Sequence, residues 1–250
     1  MAQTDERCRV EALYRYPVKS LQGERLERAE IGVLGIVGDR AWGVLDRTTG
    51  KVLSAKREGR LLMAAARLDG EPSPRVEVPG GATLGGWLGR DVEVVPAPKG
   101  VRTTYENLDD PFDEQGPAHD YQGPIGTFHD DQPVHLVTTA SLRAASQGHQ
   151  GGDWDPRRFR PNVVLGARGE GFVEDGWLGR RLRMGTVLGE VAKTTSRCVV
   201  VTRPQPDGIR HDRQVLASLG RGHDWRLGVY LRVISPGEVA VGDEATLLPG

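Results

Sequence analysis

The tripeptide Ser196-Arg197-Cys198 carries the most chemistry in a chain of 250 residues that has one other cysteine, Cys8. A thiol acts as a nucleophile or metal ligand only as thiolate, and nearby positive charge favours that form. Arg197 and Lys193 offer such charge, although strand alternation can point Arg197 to the opposite face. The same residues also read as a buried cysteine capping a core strand, since free cysteines are among the most buried side chains. Both readings stay open on the residues alone. Cys8 is read as incidental, in a polar N-terminal tail.

Arg157-Arg158-Phe159-Arg160-Pro161-Asn162 places three arginines within four residues beside an apolar run. Guanidinium groups in that density suit a planar anion such as phosphate or carboxylate; a solvated basic loop is the alternative. Lys19 and Ser20 follow the strand-like Val10–Tyr16, and Arg40 precedes Ala41-Trp42. Two cysteines cannot build a four-cysteine zinc or iron–sulfur site. No His-Glu-x-x-His motif occurs, and the spacings of His119, His129 and His135 fit no common ligand pattern. Asp109-Asp110 and Asp130-Asp131 read as solvated faces.

The elements that must position these groups are short. Glycine (34) and proline (16) make up a fifth of the chain, so turns are frequent and long helices few. Strands are expected at 10–16, 42–46 and 51–54 (a hairpin with Gly50 at its turn), 76–79, 91–95, 134–138, 162–165, 182–184, 187–192, 198–202, 229–233 and 238–243. Helices are expected at 58–67, 139–145 with Thr139 as N-cap, and 215–219 ending at Gly220. The pattern predicts a mainly β fold with a few short helices, a β-rich α+β class. Residues 99–133 lack apolar periodicity and read as a linker or wrapping loop between a β-rich unit at 1–98 and a second at 134–250. A formal net charge of −1 argues against whole-surface attraction to nucleic acid or membrane. The first residues lack the features of a signal peptide, so a reduced, cytoplasmic protein is expected.

Taken in order, Tyr16-Pro17-Val18-Lys19-Ser20, Gly38-Asp39-Arg40-Ala41-Trp42, Phe159-Arg160-Pro161-Asn162, Ser196-Arg197-Cys198 and Gly237–Asp243 resemble the marks of proteins with a MOSC domain preceded by a MOSC N-terminal β-barrel domain. The pattern is similar to the group containing the mitochondrial amidoxime reducing component and its bacterial relatives. The resemblance implies a MOSC-type β-barrel plus a smaller N-terminal β-barrel-like domain, with a molybdenum cofactor (Mo-molybdopterin) between them. It implies Cys198 as the metal's protein ligand, with Lys19, Ser20, Arg40, Arg160 and Asn162 holding phosphate and pterin. Ser196 and Arg197 lie on the ligand loop, and Ser141 is expected to face the cofactor from a strand–helix turn. The implied activity is reduction of a small N-oxygenated substrate, with electrons from a separate donor protein and Tyr16, Asp207 and His211 as candidate proton carriers. A metal-free sulfur carrier using a Cys198 persulfide, and a non-catalytic cofactor carrier, are the alternatives. The segment Thr202–Gly208 departs from the acid-rich turn usual in the family, so substrate identity stays open.

Overall fold

The computed structural model describes residues 7–110, 113 and 116–249. The first six residues, on which the signal-peptide reading rests, lie outside the described residues. So do Pro111, Phe112, Glu114 and Gln115, within the 99–133 stretch.

Strand β1 (Arg7–Arg15) alternates faces and buries Cys8, Val10, Ala12 and Leu13. Three short strands follow, β2 (Glu24–Leu26), β3 (Arg28–Gly32) and β4 (Gly35–Ile36). β5 (Trp42–Asp46) and β6 (Lys51–Val52) form the expected hairpin, with Gly50 at φ 68° in its turn. Next come β7 (Ala65–Arg67), β8 (Arg75–Glu77), helix α1 (Leu84–Leu88) and β9 (Val92–Pro96), then β10 (Arg102–Leu108) and β11 (Ala118–Ile125). The second half contributes β12 (Val134–Thr138), α2 (Thr139–Gln147), β13 (Val163–Gly166), β14 (Arg181–Met184) and β15 (Val187–Ser196). It ends with α3 (Arg213–His223), β16 (Arg226–Ser235), β17 (Gly237–Ala240) and β18 (Glu244–Leu247).

The fold is mostly β, built on a closed seven-stranded barrel. Its strands run β13-β12-β16-β15-β14-β18-β1, and β1 closes the ring by pairing antiparallel with β13. Leu136, Val163, Leu165, Val191 and Val229 are fully buried inside it. A five-stranded sheet, β11-β10-β6-β5-β9, forms the second layer; Val18, Leu21, Val44 and Leu61 are fully buried in the core beside it. A third cluster joins α2 and α3 to the turn at 199–202, through Val137, Phe159, Val201, Val215 and Leu219. Among the described residues no helix is long and apolar enough to cross a membrane.

Several elements differ from expectation. The 99–133 stretch, read as a linker or wrapping loop, contains the β10–β11 hairpin. Its alternation is carried by Thr103 and Tyr105, both buried, and these polar types hide it from an apolar-pattern reading. The expected helix at 58–67 is a 3-10 turn at Gly59–Met63 followed by β7, because pairing with β8 overrides local periodicity. Thr138, not Thr139, caps α2 by accepting from the Ser141 N–H at 3.1 Å. Helix α3 continues past Gly220 to His223. Cys8 is no tail residue: β1 buries it in the barrel.

The valine run after Cys198 is not a strand but a 3-10 turn at Val199–Thr202. Arg158, fully buried, explains this. Its guanidinium donates to the carbonyls of Asp153, Val201 and Arg210 at 2.7, 3.2 and 2.8 Å, taking acceptors that a ladder would otherwise use. Arg158→Met would leave those buried carbonyls unpaired and is expected to cost about 3 kcal/mol of unfolding free energy. Urea denaturation checks this; a loss below about 1 kcal/mol, the net worth of one ordinary hydrogen bond, would contradict the role given to Arg158.

Candidate functional site

A cavity of about 290 Å³ lies between the barrel and the five-stranded sheet. Lys19, Arg40, Lys56, Arg160 and Arg197 face it, against the single carboxylate Asp130, and Cys198 forms part of its wall. Each group arrives from a different segment. Lys19 and Ser20 follow β1, Arg40 precedes β5, and Arg160 precedes β13. Arg197 and Cys198 follow β15, whose pairing with β16 slips at Val191/Lys193 and again at Thr194/Ser196. Such bulges bend a strand and re-aim its side chains. The strand ends at Ser196, so alternation no longer sends Arg197 and Cys198 to opposite faces, and both line the cavity.

Three of these residues hold backbone conformations that side chains other than glycine rarely adopt: Ser20 at φ 70°, Arg40 at 47° and Arg160 at 53°. Each costs on the order of 1–3 kcal/mol and persists only where surroundings enforce it. The Arg40 N–H donates to the Tyr16 carbonyl at 2.7 Å, the Arg160 N–H to the Arg157 carbonyl at 3.1 Å, and Ser20 Oγ accepts from the Ala55 N–H at 2.9 Å.

The arginines are then oriented by side chains. Arg40 Nη1 donates to Asp39 and, at 3.2 Å, to Asn162 Oδ1; its Nη2 donates to the Arg160 carbonyl at 3.0 Å. Burial by itself would raise the Asp39 carboxyl, but Arg40, His129 (Nε2 at 2.9 Å) and the Tyr16 N–H hold it well below the usual carboxylate range. Arg160 Nη1 reaches the Leu21 carbonyl at 2.7 Å, while its Nη2 is buried without a partner. Burial, with Arg40 beside it, lowers Arg160 to about 10, so it stays charged at neutral pH. The Tyr16 ring lies 4.7 Å from the Arg40 guanidinium and 4.2 Å from that of Arg160, and its buried hydroxyl also lacks a partner. Burial pushes that phenol well up.

Arg197 Nη2 donates to the Phe159 carbonyl at 2.7 Å and Nη1 approaches His135 Nε2 at 3.4 Å, leaving Nε buried and unpaired. Burial, then Arg197 and Arg40, drives the His135 pKa well below the ordinary value, so its neutral ring accepts from Arg197. Lys19 is already engaged: Nζ donates to Asp130 at 2.8 Å and to the Phe128 carbonyl at 3.1 Å, and lies 3.7 Å above the Tyr105 ring.

Of the residues singled out from sequence, Lys19, Ser20, Arg40, Arg160, Asn162, Ser196, Arg197 and Cys198 converge on this cavity. Asn162 spends its amide on Arg40, the His135 N–H and the Tyr14 carbonyl, so it positions rather than presents a free donor. Ser141 does not face the cavity. It is fully buried at the start of α2, where its hydroxyl bonds the Glu174 carboxylate. Asp207 is tied to Arg157 at 2.7 Å, and neither it nor His211 lines the cavity. Asp130, read as a solvated face, is exposed, and it also accepts from Lys19 and from Tyr105 at 2.8 Å. His135, His129, Lys56 and Tyr230 line the cavity and were missed; no local spacing marks them, because only closure of the fold brings them together. Among the described residues no group of three or more His, Cys, Asp or Glu could hold a metal ion.

The sequence profile of the MOSC domain matches residues 125–246, and that of the MOSC N-terminal beta barrel domain matches residues 7–107. No curated protein sequence matches the chain. Among solved structures, the YUAD protein from Bacillus subtilis is similar in fold at 12% identity. That match has a TM-score of 0.52 and covers 96% of this chain and 95% of that one. YiiM from Geobacillus stearothermophilus matches at 16% identity and a TM-score of 0.38, over 60% of this chain and 73% of that chain.

The buried neutral His135 ties stability to pH. Its folded pKa lies below the unfolded value near 6.5, so the unfolded chain binds the extra proton first and stability falls as pH drops below that value. His135→Gln is expected to flatten the decline between pH 6 and pH 5 by about 1 kcal/mol per pH unit. Urea unfolding at both pH values measures this, and an unchanged slope would contradict a neutral buried His135.

Proposed function

The chain belongs to the MOSC family, with a MOSC N-terminal β-barrel domain before the MOSC domain, and from that premise we propose that it is a molybdenum-cofactor oxidoreductase acting on small N-oxygenated compounds. The family binds the molybdenum cofactor or acts in sulfur transfer. The observation that carries the cofactor reading is the pair of buried guanidinium donors, Arg160 Nη2 and Arg197 Nε, without acceptors beside a partly exposed thiol. A polyanionic pterin phosphate supplies the acceptors that these donors lack. A Cys198 persulfide alone would leave them unexplained.

On this reading Lys19, Arg40 and Arg160 hold the phosphate and pterin, Asp39 and Asn162 fix Arg40, and His135 fixes Arg197. Cys198 is the protein's ligand to the metal; with no protein metal cluster among the described residues, the remaining ligands come with the cofactor. When bound, the cofactor supplies two-electron oxygen-atom transfer. The net reaction takes an N–OH group, two electrons and two protons to N–H and water, the electrons coming from a separate protein. Burial keeps the Tyr16 phenol protonated at physiological pH, but its hydroxyl has no partner among the described residues and Tyr16 does not itself line the cavity. Asp207 and His211 stand outside the cavity and are not carried forward as proton carriers.

Protein purified from a host that makes the cofactor is expected to hold stoichiometric molybdenum and releasable pterin, and to oxidise reduced methyl viologen when given an N-hydroxylated compound. Cys198→Ala is expected to lose both molybdenum and turnover. Lost turnover with unchanged molybdenum would contradict the ligand assignment. Metal-free wild-type protein with a cyanide-labile sulfur on Cys198 would instead support sulfur transfer, and bound cofactor without turnover a carrier.

A further inference from the structure

Outside the cationic cavity, a groove of about 560 Å³ runs along helix α3. Its floor is Leu216, Ala217 and Gly220, one wall is Val199 and Thr202, and the other is the indole of Trp225. Cavities of this size lined by apolar and aromatic groups are typical of small-molecule sites.

The indole is placed there at some cost. Asp224 and Trp225 both adopt left-handed conformations, φ 49° and 53°. Gly220 sits inside the helix, where glycine is unfavourable; a Cβ on it would lie 2.3 Å from the indole nitrogen. Despite this docking Trp225 remains 41% exposed. The left-handed C-cap at Asp224 turns the chain so that the indole packs against Gly220 and keeps one side open to solvent, where it can form part of a contact surface.

Charge defines the occupant. Arg213 and Arg221 line the groove, and neither forms an ion pair with a described residue. They are eight residues apart, about 12 Å along the helix axis at 1.5 Å per residue. No carboxylate lines the groove. An apolar trough of that length with a guanidinium toward each end complements an extended aliphatic chain carrying an anionic head. We propose that this groove binds a medium-chain amphiphilic carboxylate, its chain along Leu216, Ala217 and the Trp225 indole and its carboxylate on Arg213 or Arg221. The groove opens apart from the cationic cavity but adjoins it: Val199 lines the groove between Cys198 and Val200 of the cavity wall, and the Arg197 N–H donates to the Trp225 carbonyl at 2.7 Å.

The test is titration of the full-length protein with sodium decanoate, following the Trp225 fluorescence as the difference between the protein and its Trp225→Phe variant. Saturable binding is expected, weakened about tenfold for neutral decanol and about tenfold in the Arg213→Gln/Arg221→Gln double variant, the loss of one charge-assisted pair. Ala217→Glu, a half-buried position on the groove floor, is expected to weaken decanoate binding at least as much with no change in melting temperature. Equal affinity for decanol and decanoate, or decanoate binding unaffected by the double variant, would overturn the proposal. A dimer in solution that Ala217→Glu converts to monomer would assign the groove to a second copy of the chain and overturn it as well.

Discussion

A guanidinium taken out of water without an acceptor is among the least favourable arrangements a protein can hold, costing several kcal/mol. Here Arg160 and Arg197 each keep one such donor, beside Arg40 and Lys19. Mutual repulsion and burial both oppose this cluster, as the lowered Arg160 pKa records. The rest of the site is organised around tolerating it.

The tolerance comes from two sources. Carbonyl and carboxylate oxygens take other donors of the same groups: Asp39 and Asn162 hold Arg40, Leu21 holds Arg160, Phe159 holds Arg197, and Asp130 holds Lys19. Backbone closure supplies the positions. The β1–β13 pairing sets Leu13 opposite Val163, bringing the segment after β1 against the one before β13. Bonds between the layers, such as Gln22 Nε2 to Gln205 Oε1 at 2.9 Å and Arg203 Nη2 to the Lys56 carbonyl at 2.7 Å, keep the five-stranded sheet against the barrel. Segments distant in sequence thus share one wall of charge.

Much of this was legible in the residues. Period-2 alternation marked β1 and β16, and the Gly50 turn marked the β5–β6 hairpin. The motif residues Lys19, Arg40, Arg160 and Cys198 converge as their order suggested. What failed did so for identifiable reasons. The β10–β11 hairpin alternates in Thr and Tyr instead of aliphatic residues. The valines after Cys198 look like a strand until the Arg158 contacts are known. Ser141 sits at a strand–helix turn, but its direction is set by buried Glu174, from a segment 33 positions away. His135 and Lys56 carry no local signature, since their place beside Arg197 and Asp130 arises only from closure.

The central claim is that half-buried Arg160 keeps one buried donor, Nη2, unsatisfied for an anionic ligand, at the expense of stability. Arg160→Met separates the two effects in a single variant co-produced with the cofactor pathway. The account expects releasable pterin per chain to fall at least tenfold, the weight of one charge-assisted contact, while the urea midpoint of the ligand-free protein stays level or rises. Full pterin content, or a destabilised protein that still retains its pterin, would contradict it.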